Sequence, residues 1–312
     1  MDGIILVHKP AQITSHDVVA RIRKILDLKK AGHFGTLDPL ATGLLLIAVG
    51  KATRLFRFFK PLVKTYRGSL CFGYATDTYD SEGRQITVAS SSIPEQRDVW
   101  HAMSLFTGEI DQVPPLYSAK KYKGRRLYTL ARQNKKIDLK PSKVTIFAFE
   151  PLSYRPPVLD FKVRCSSGTY IRSLTHDLGQ KLGCGAHLIQ LERTKIGQYS
   201  INNCHTLERI KKLADEKKYG AFLIPLEGIL EGLSKIVLDE KGRIQAKNGN
   251  LIRYENIRDI VHQKAVDSDS PAFNKTFRLF GPDGKLIAFA KRHPTQPGLH
   301  PFLVVDTETG GL

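Results

Sequence analysis

The sequence predicts an α+β protein followed by a small β domain, and three observations carry that prediction. Strand-like and helix-like apolar patterns alternate as far as Ile196, a glycine-rich loop interrupts them at residues 31–43, and from about Ser234 the texture changes to short strands broken by Gly, Pro and Asn. A chain of 312 residues suits one large and one small domain, which we place at residues 1–233 and 234–312. Hydrophobic residues make up 41% and charged residues 25%, a balance that supports a buried core and argues against general disorder.

Each element has its own signal. Ile4 to Val7 read as a short buried strand stopped by Lys9-Pro10. Thr14-Ser15-His16-Asp17 has the form of a helix start with Asp17 in the first turn, and Val18, Val19, Ile22, Ile25 and Leu26 then recur at helical spacing. After the loop, the apolar run Leu44 to Val49, closed by Gly50, predicts a buried strand. Tyr66 to Tyr74 reads as a strand, Asp77 to Arg84 as a turn, and Asp98 to Phe106 as a helix ending before Gly108. Lys143 to Phe149 and Leu159 to Cys165 are strands. Gly168 leads into a helix over roughly 170–182, and a further strand, His187 to Ile196, follows Gly183 and Gly185. In the C-terminal part, Phe277 to Phe280, Leu286 to Ala290 and Phe302 to Val305 predict strands of a β-barrel-like domain, with Asp267 to Asn274 a loop within it.

Charge narrows the class of partner. Lys and Arg number 48 against 30 Asp and Glu, a formal charge of +18 that favours a polyanion, of which nucleic acid is the commonest. Residues 235–312 hold 12 basic and 9 acidic residues, so an excess of 3 lies there and 15 before it. The segment 117–143 is the most basic and interleaves three tyrosines with Lys and Arg. It reads equally as an RNA-gripping insertion or as an amphipathic helix with a solvated face. Cys71, Cys165, Cys184 and Cys204 are widely spaced, and predict neither a disulfide framework nor a zinc site. The N-terminus runs directly into a strand-like segment, and no apolar run is long enough to span a bilayer. A cytoplasmic location and no membrane association are expected.

The segment most informative about chemistry is Gly32-His33-Phe34-Gly35-Thr36-Leu37-Asp38-Pro39. A carboxylate directly before proline is held away from helical backbone angles, and neighbouring glycines let a ligand or another backbone approach closely. Such turns also occur in proteins without chemistry. Two further clusters are Lys64-Thr65-Tyr66-Arg67, at a strand start, and Ser166 to Arg172, where a strand turns into a helix. Taken singly, Tyr66 and Tyr170 read as half-buried aromatics. No Gly-rich phosphate loop, dinucleotide fingerprint or metal-ligand cluster is present in the sequence, so neither cofactor nor metal is expected.

Together the motifs resemble the bacterial tRNA pseudouridine-55 synthases, which modify the T-loop uridine of tRNA. The likeness rests on K-P…T-S at Lys9, Pro10, Thr14 and Ser15, G-H-x-G-T-L-D-P at 32–39, and A-T-G-L-L at 41–45. It continues through K-x-Y-R at 64–67, T-D-T-x-D-x-x-G at 76–83, V-P-P-x-Y-S-A at 113–119, G-T-Y-I-R at 168–172 and D-L-G-x-K-L-G-C-G-A-H at 177–187. The resemblance implies a pseudouridine synthase fold, with a mixed, largely antiparallel sheet flanked by helices and a small C-terminal PUA-like β-barrel domain. It makes Asp38 the catalytic aspartate, Arg172 its ion-pair partner and Tyr66 the residue that stacks on the target base. His33, Tyr170 and Leu191 would line the site around an everted nucleotide, with Lys9 among the substrate-binding residues. Residues 117–143 would be the mobile insertion that closes over RNA. The implied partner is the T-arm of tRNA, bound by a monomer with no obligatory protein partner. The chain departs from the common pattern at His8, Gln12 and Lys120, none of them in the aspartate motif.

Pseudouridine formation breaks the bond from ribose C1′ to uracil N1, turns the base and rejoins C1′ to C5. It is an isomerisation that needs a carboxylate, a dry pocket and a grip on the loosened base. A competing reading is a non-catalytic RNA-binding, RNA-folding or assembly protein using the same basic surface. A hydrolase built on His176 or His187 is a third, unaccompanied by a Ser or Cys nucleophile motif.

Overall fold

The structure, a computed structural model, describes residues 1–90, 92–118, 121, 122, 124–127, 129, 133, 139–261 and 275–305. The chain divides into two compact units: Met1–Pro39, Gly43–Leu62 and Gly197–Leu312 form one, and Leu40–Thr42 with Val63–Ile196 the other. Strand β1 (Gly3–Lys9) leads to helix α1 (Ser15–Ile25), β2 (Ala31–His33) and β3 (Thr42–Val49), and a 3-10 turn, Gly50–Leu55, runs into the short α2 (Phe56–Phe59). Then come β4 (Lys64–Phe72), α3 (Gln96–Ser104), β5 (Gly108–Gln112), the short β6 (Lys121–Tyr122) and β7 (Arg125–Arg126), β8 (Ser142–Arg155) and β9 (Val158–Cys165). Helix α4 (Ile171–Lys181) and β10 (Ala186–Ile196) follow, then β11 (Tyr199–Ser200), α5 (Leu207–Asp215) and β12 (Leu223–Pro225). The chain continues through β13 (Ser234–Leu238), α6 (Glu240–Lys247), β14 (Ile257–Val261), β15 (Thr276–Phe280), β16 (Leu286–Arg292) and β17 (Leu299–Val304).

In the first unit β1 pairs antiparallel with β12 on one side and β3 on the other, and β2 adds to β3. Ile4, Ile5, Leu6 and Val7 are all buried, so both faces of β1 are covered, which is why its sequence reads as a continuous apolar run rather than an alternating one. Thr14 caps α1 through a reciprocal pair of bonds. Its hydroxyl accepts from the Asp17 N–H at 3.1 Å, and the Asp17 carboxylate accepts from the Thr14 N–H at 2.8 Å. Val18, Val19 and Ile22 form the buried stripe.

The small sheet runs β14-β13-β15-β16-β17, antiparallel except for the parallel pair β13 and β15. Ile236, Leu238, Leu279, Ala288 and Leu299 pack with Ala246 of α6 to make its core. The sequence pattern did not predict α6, because only Ile244 and Ala246 are apolar in its eight residues. It forms because the Asp239 carboxylate accepts from the Gly242 N–H at 2.6 Å, satisfying one orphan donor of its first turn. Within the same unit, Arg54 donates to the Phe302 carbonyl at 2.6 Å, and the Arg57 guanidinium lies 4.1 Å from the centre of the Phe302 ring. Phe58 stacks on that ring at 5.6 Å.

The second unit is an antiparallel run in the order β10-β4-β9-β8-β5. Strand β8 continues to Arg155, beyond the predicted Phe149, since the pairing with β9 passes Pro151 at a register shift and ends with Arg155 opposite Val158. Residues 119, 120, 123, 128, 130–132 and 134–138 of the expected insertion 117–143, and the loop expected at Asp267 to Asn274, lie outside the described residues. Within the insertion, β6 and β7 pair around Gly124.

Helix α4 packs on β10 through Gly179. A Cβ there would come 2.2 Å from the Ala186 nitrogen and 2.5 Å from the Gly185 carbonyl carbon, far inside contact distance and against backbone that cannot swing away. We therefore expect Gly179→Ala to cost about 1 to 3 kcal/mol through overpacking. Urea unfolding measures it, and a midpoint indistinguishable from wild type would mean that the helix can shift off the strand.

Candidate active site

The aspartate turn begins where β2 ends. Phe34 is buried, stacks on Phe59 at 4.3 Å and donates its N–H to the Leu46 carbonyl at 2.9 Å. Gly35 then takes φ +114°, a region that L side chains rarely enter. Beyond it, Ser15 of α1 grips Leu37 on both sides: its hydroxyl donates to the Leu37 carbonyl at 3.0 Å and accepts from the Leu37 N–H at 2.8 Å. The Lys9 ammonium, fully buried, donates to the carbonyls of Pro10 at 2.8 Å, Ile13 at 2.7 Å and Pro39 at 3.3 Å. Pro39 O also accepts from the Gln12 N–H at 2.8 Å. Asp38, half-buried, thus lies between two residues fixed by the Lys-Pro and Thr-Ser motifs. Gln12 has φ +65°, a conformation that glycine adopts freely, so the departure from a frequent glycine there leaves the turn formed, at some backbone strain.

Tyr66 and Leu191 stand on neighbouring strands of the second unit, both buried. Tyr66 pairs with Arg193 and Gly68 with Leu191. Residues two apart on a strand and directly opposite across a pair share a face, so Tyr66, Gly68 and Leu191 line one face of the β4 and β10 pair. Gly68 is needed there: a Cβ would come 2.8 Å from the Phe161 ring and 3.3 Å from a Leu191 methyl.

The start of α4 holds Tyr170 and Arg172. Gln112, at the end of β5, donates from its amide nitrogen to the Tyr170 carbonyl at 3.0 Å and accepts from the Tyr170 N–H at 2.7 Å, copying a backbone pair. Ser173 donates to the Val113 carbonyl at 2.8 Å. Arg172 is 4% exposed. Its guanidinium donates to the carbonyls of Thr78 at 3.0 Å and Tyr117 at 2.9 Å, and lies 3.4 Å from Oδ2 of Asp80, itself buried. The other carboxylate oxygen of Asp80 accepts from the Thr78 hydroxyl and from the Glu82 N–H.

The sequence thus pointed to Arg172 but assigned nothing to Asp80 or Gln112. The signal for Asp80 was the T-D-T-x-D-x-x-G motif; Gln112, at a strand end, offered none. Lys9 and the Asp38 turn come together in the first unit with His33 at the end of β2, while Tyr66 and Leu191, and Tyr170 and Arg172, form two groupings in the second.

Further along α4, burial raises the Asp177 carboxyl to about 6. Burial, and then the charge of Asp177, raise the Tyr79 phenol, and burial lowers the His176 imidazole. Among the described residues no group of three or more His, Cys, Asp or Glu is disposed to hold a metal, and no helix is long and apolar enough to cross a membrane.

An antiparallel sheet carrying an anchored aspartate turn, a buried arginine at a helix start and a small terminal sheet define a pseudouridine synthase fold. Residues 23–171 match the TruB family pseudouridylate synthase (N terminal domain), and residues 172–231 the tRNA pseudouridylate synthase B C-terminal domain. The chain is 44% identical over 261 residues to the tRNA pseudouridine synthase B of Clostridium tetani, covering 84% of this chain and 89% of that one. It is 37% identical over 306 residues to the Geobacillus thermodenitrificans protein of the same name, covering 96% and 97%. Among solved structures, a chain of a Cbf5-Nop10-Gar1 complex superposes with a TM-score of 0.70 at 27% identity, over 97% of this chain and 84% of that one. The chain belongs to the TruB family of pseudouridylate synthases, which are isomerases.

Two outcomes follow from this geometry. Ser15→Ala leaves the buried N–H and carbonyl of Leu37 without the hydroxyl, and we expect a loss of about 1 to 3 kcal/mol in stability, together with reduced turnover. Chemical unfolding beside an activity assay checks it, and unchanged values of both would show that the clamp does not hold the turn. For Asp177 the sign is set by a folded pKa of about 6 above its unfolded value. Its proton is retained on folding, so stability falls as pH rises through that interval and stays lowered above it. Asp177→Asn should therefore be more stable than wild type at pH 8, with the gap closing towards pH 4; a pH-independent gap would contradict this.

Proposed function

We propose that this protein isomerises the T-loop uridine, position 55, of tRNA to pseudouridine, with Asp38 as the essential carboxylate. The observation that carries this is the aspartate turn, fixed on both sides of Asp38 by Ser15 and Lys9, in a member of a pseudouridylate synthase family. A nucleophile or base must be placed to within fractions of an ångström to be effective, and clamping its backbone neighbours does that.

The uridine must leave its stack, at a cost of a few kcal/mol. Tyr66 stacks on the everted base, a contact whose loss typically costs about 1 to 3 kcal/mol, while His33, Tyr170 and Leu191 line the pocket and Lys9 supports it. Arg172 pairs with Asp38 and keeps it ionised. A guanidinium carries five N–H donors, enough to serve Asp80, two carbonyls and a second carboxylate, and it stays charged when desolvated. Attack at C1′, attack at C6 and removal of a ribose proton all call on the same carboxylate, so its assignment is independent of which step it performs.

Residues 117–143 grip the RNA, and residues 234–312 form a PUA-like RNA-binding domain. The protein acts as a cytoplasmic monomer without an obligatory protein partner. A purely RNA-binding role would give no reason to bury an aspartate and an arginine together beside a polyanion.

The test is incubation of the protein with an unmodified tRNA transcript, without added cofactor or metal, followed by mapping of pseudouridine. We expect product at position 55 with wild type, and none with Asp38→Asn, which keeps its affinity for tRNA. Substantial turnover by Asp38→Asn removes Asp38 from the mechanism, and product at another loop overturns the substrate.

A further inference from the structure

Between the two residues that hold Arg172, Thr78 and Asp80, the chain does something unusual. Tyr79 takes φ +64°, the left-handed region, where a bulky aromatic residue is a rare occupant. The reversal explains how one guanidinium meets both the carbonyl of Thr78 at 3.0 Å and the carboxylate of Asp80 at 3.4 Å, with a single residue between them. Something must hold Tyr79 in it. Its backbone is bracketed: its N–H donates to the Thr76 carbonyl at 3.2 Å and its carbonyl accepts from the Leu188 N–H at 3.0 Å. Its ring lies on the His176 imidazole, with centres 3.8 Å apart and planes 16° apart.

His176 is four residues after Arg172 on α4, so the two side chains project from the same face, one turn apart. The helix therefore grips the 78–80 turn at two points: Arg172 takes its polar atoms and His176 takes the ring at its apex. The imidazole Nδ1 is buried and makes no hydrogen bond among the described residues, as suits a ring present for its face rather than its nitrogens.

We infer that Tyr79 and His176 are a positioning pair for the isomerisation: their stack fixes the 78–80 turn on α4 and so fixes the orientation of the Arg172 guanidinium. Neither touches the reacting atoms. This rests on the role proposed for Arg172 above, and the experiment separates the two ideas. Four variants are compared: Tyr79→Phe and His176→Phe keep an aromatic face, whereas Tyr79→Gly, which accepts the left-handed backbone, and His176→Ala remove the stack.

Rotation of the Arg172 guanidinium is followed by nitrogen NMR of the arginine side chains, which requires no turnover, and kcat and KM are measured on the tRNA transcript. Restricted rotation is expected in wild type and both Phe variants, and release of it in Tyr79→Gly and His176→Ala. Those two should lose about 3- to 10-fold in kcat, the worth of one aromatic stack, with KM unchanged. Unrestricted rotation in wild type, unchanged rotation in the two stack-free variants, or equal kcat losses in the Phe variants, would overturn the inference. If wild type makes no pseudouridine the functional reading fails, and the rotation measurement still decides this one.

Discussion

A guanidinium withdrawn from water is the constraint around which the second unit is arranged. Arg172 is 4% exposed, and a buried charge without compensation is among the most expensive things a protein can contain. Asp80 lies 3.4 Å from it, and carbonyls in two separate stretches, those of Thr78 and Tyr117, accept from it. One cation thereby ties the 76–83 turn, the segment after β5 and the start of α4 into a single arrangement.

The first unit solves the same problem with a different cation. Lys9 is fully buried and spends its ammonium donors on three carbonyls, one of them that of Pro39. In both units an irregular loop carrying a carboxylate is stiffened by a positive side chain reaching in from a regular element. Lysine suits a cage of carbonyl oxygens because its donors rotate to meet them; arginine suits the flat approach of a carboxylate and two carbonyls.

What the sequence disclosed, and what it withheld, follows from the range of the interactions. The capping box at Thr14 and Asp17 is local and was read directly, as were the buried strands β1 and β3, where continuous apolar runs leave little choice. Helix α6 was missed because it has almost no apolar stripe and depends on its cap and on Ala246 meeting the small sheet. The Asp38 motif was conspicuous, yet its anchor, Ser15, is 22 residues away and looked like part of a helix start. Asp80 and Gln112 act on α4 from distant parts of the chain, and nothing in their immediate neighbours marks them as its supports. The Asp80 motif declared that the turn mattered without saying to what.

The ring of Phe302 carries a consequence for how this protein can be shortened. It lies near the end of the described chain, yet Arg57 and Phe58 both lie against it, and its carbonyl accepts from Arg54. A cut at residue 233 would strip cover from Phe58, now 1% exposed, and take from Arg54 the carbonyl and from Arg57 the ring that each holds. The terminal sheet is therefore a roof tile of the N-terminal fold, and a truncated chain would present a sticky apolar scar before it revealed anything about RNA.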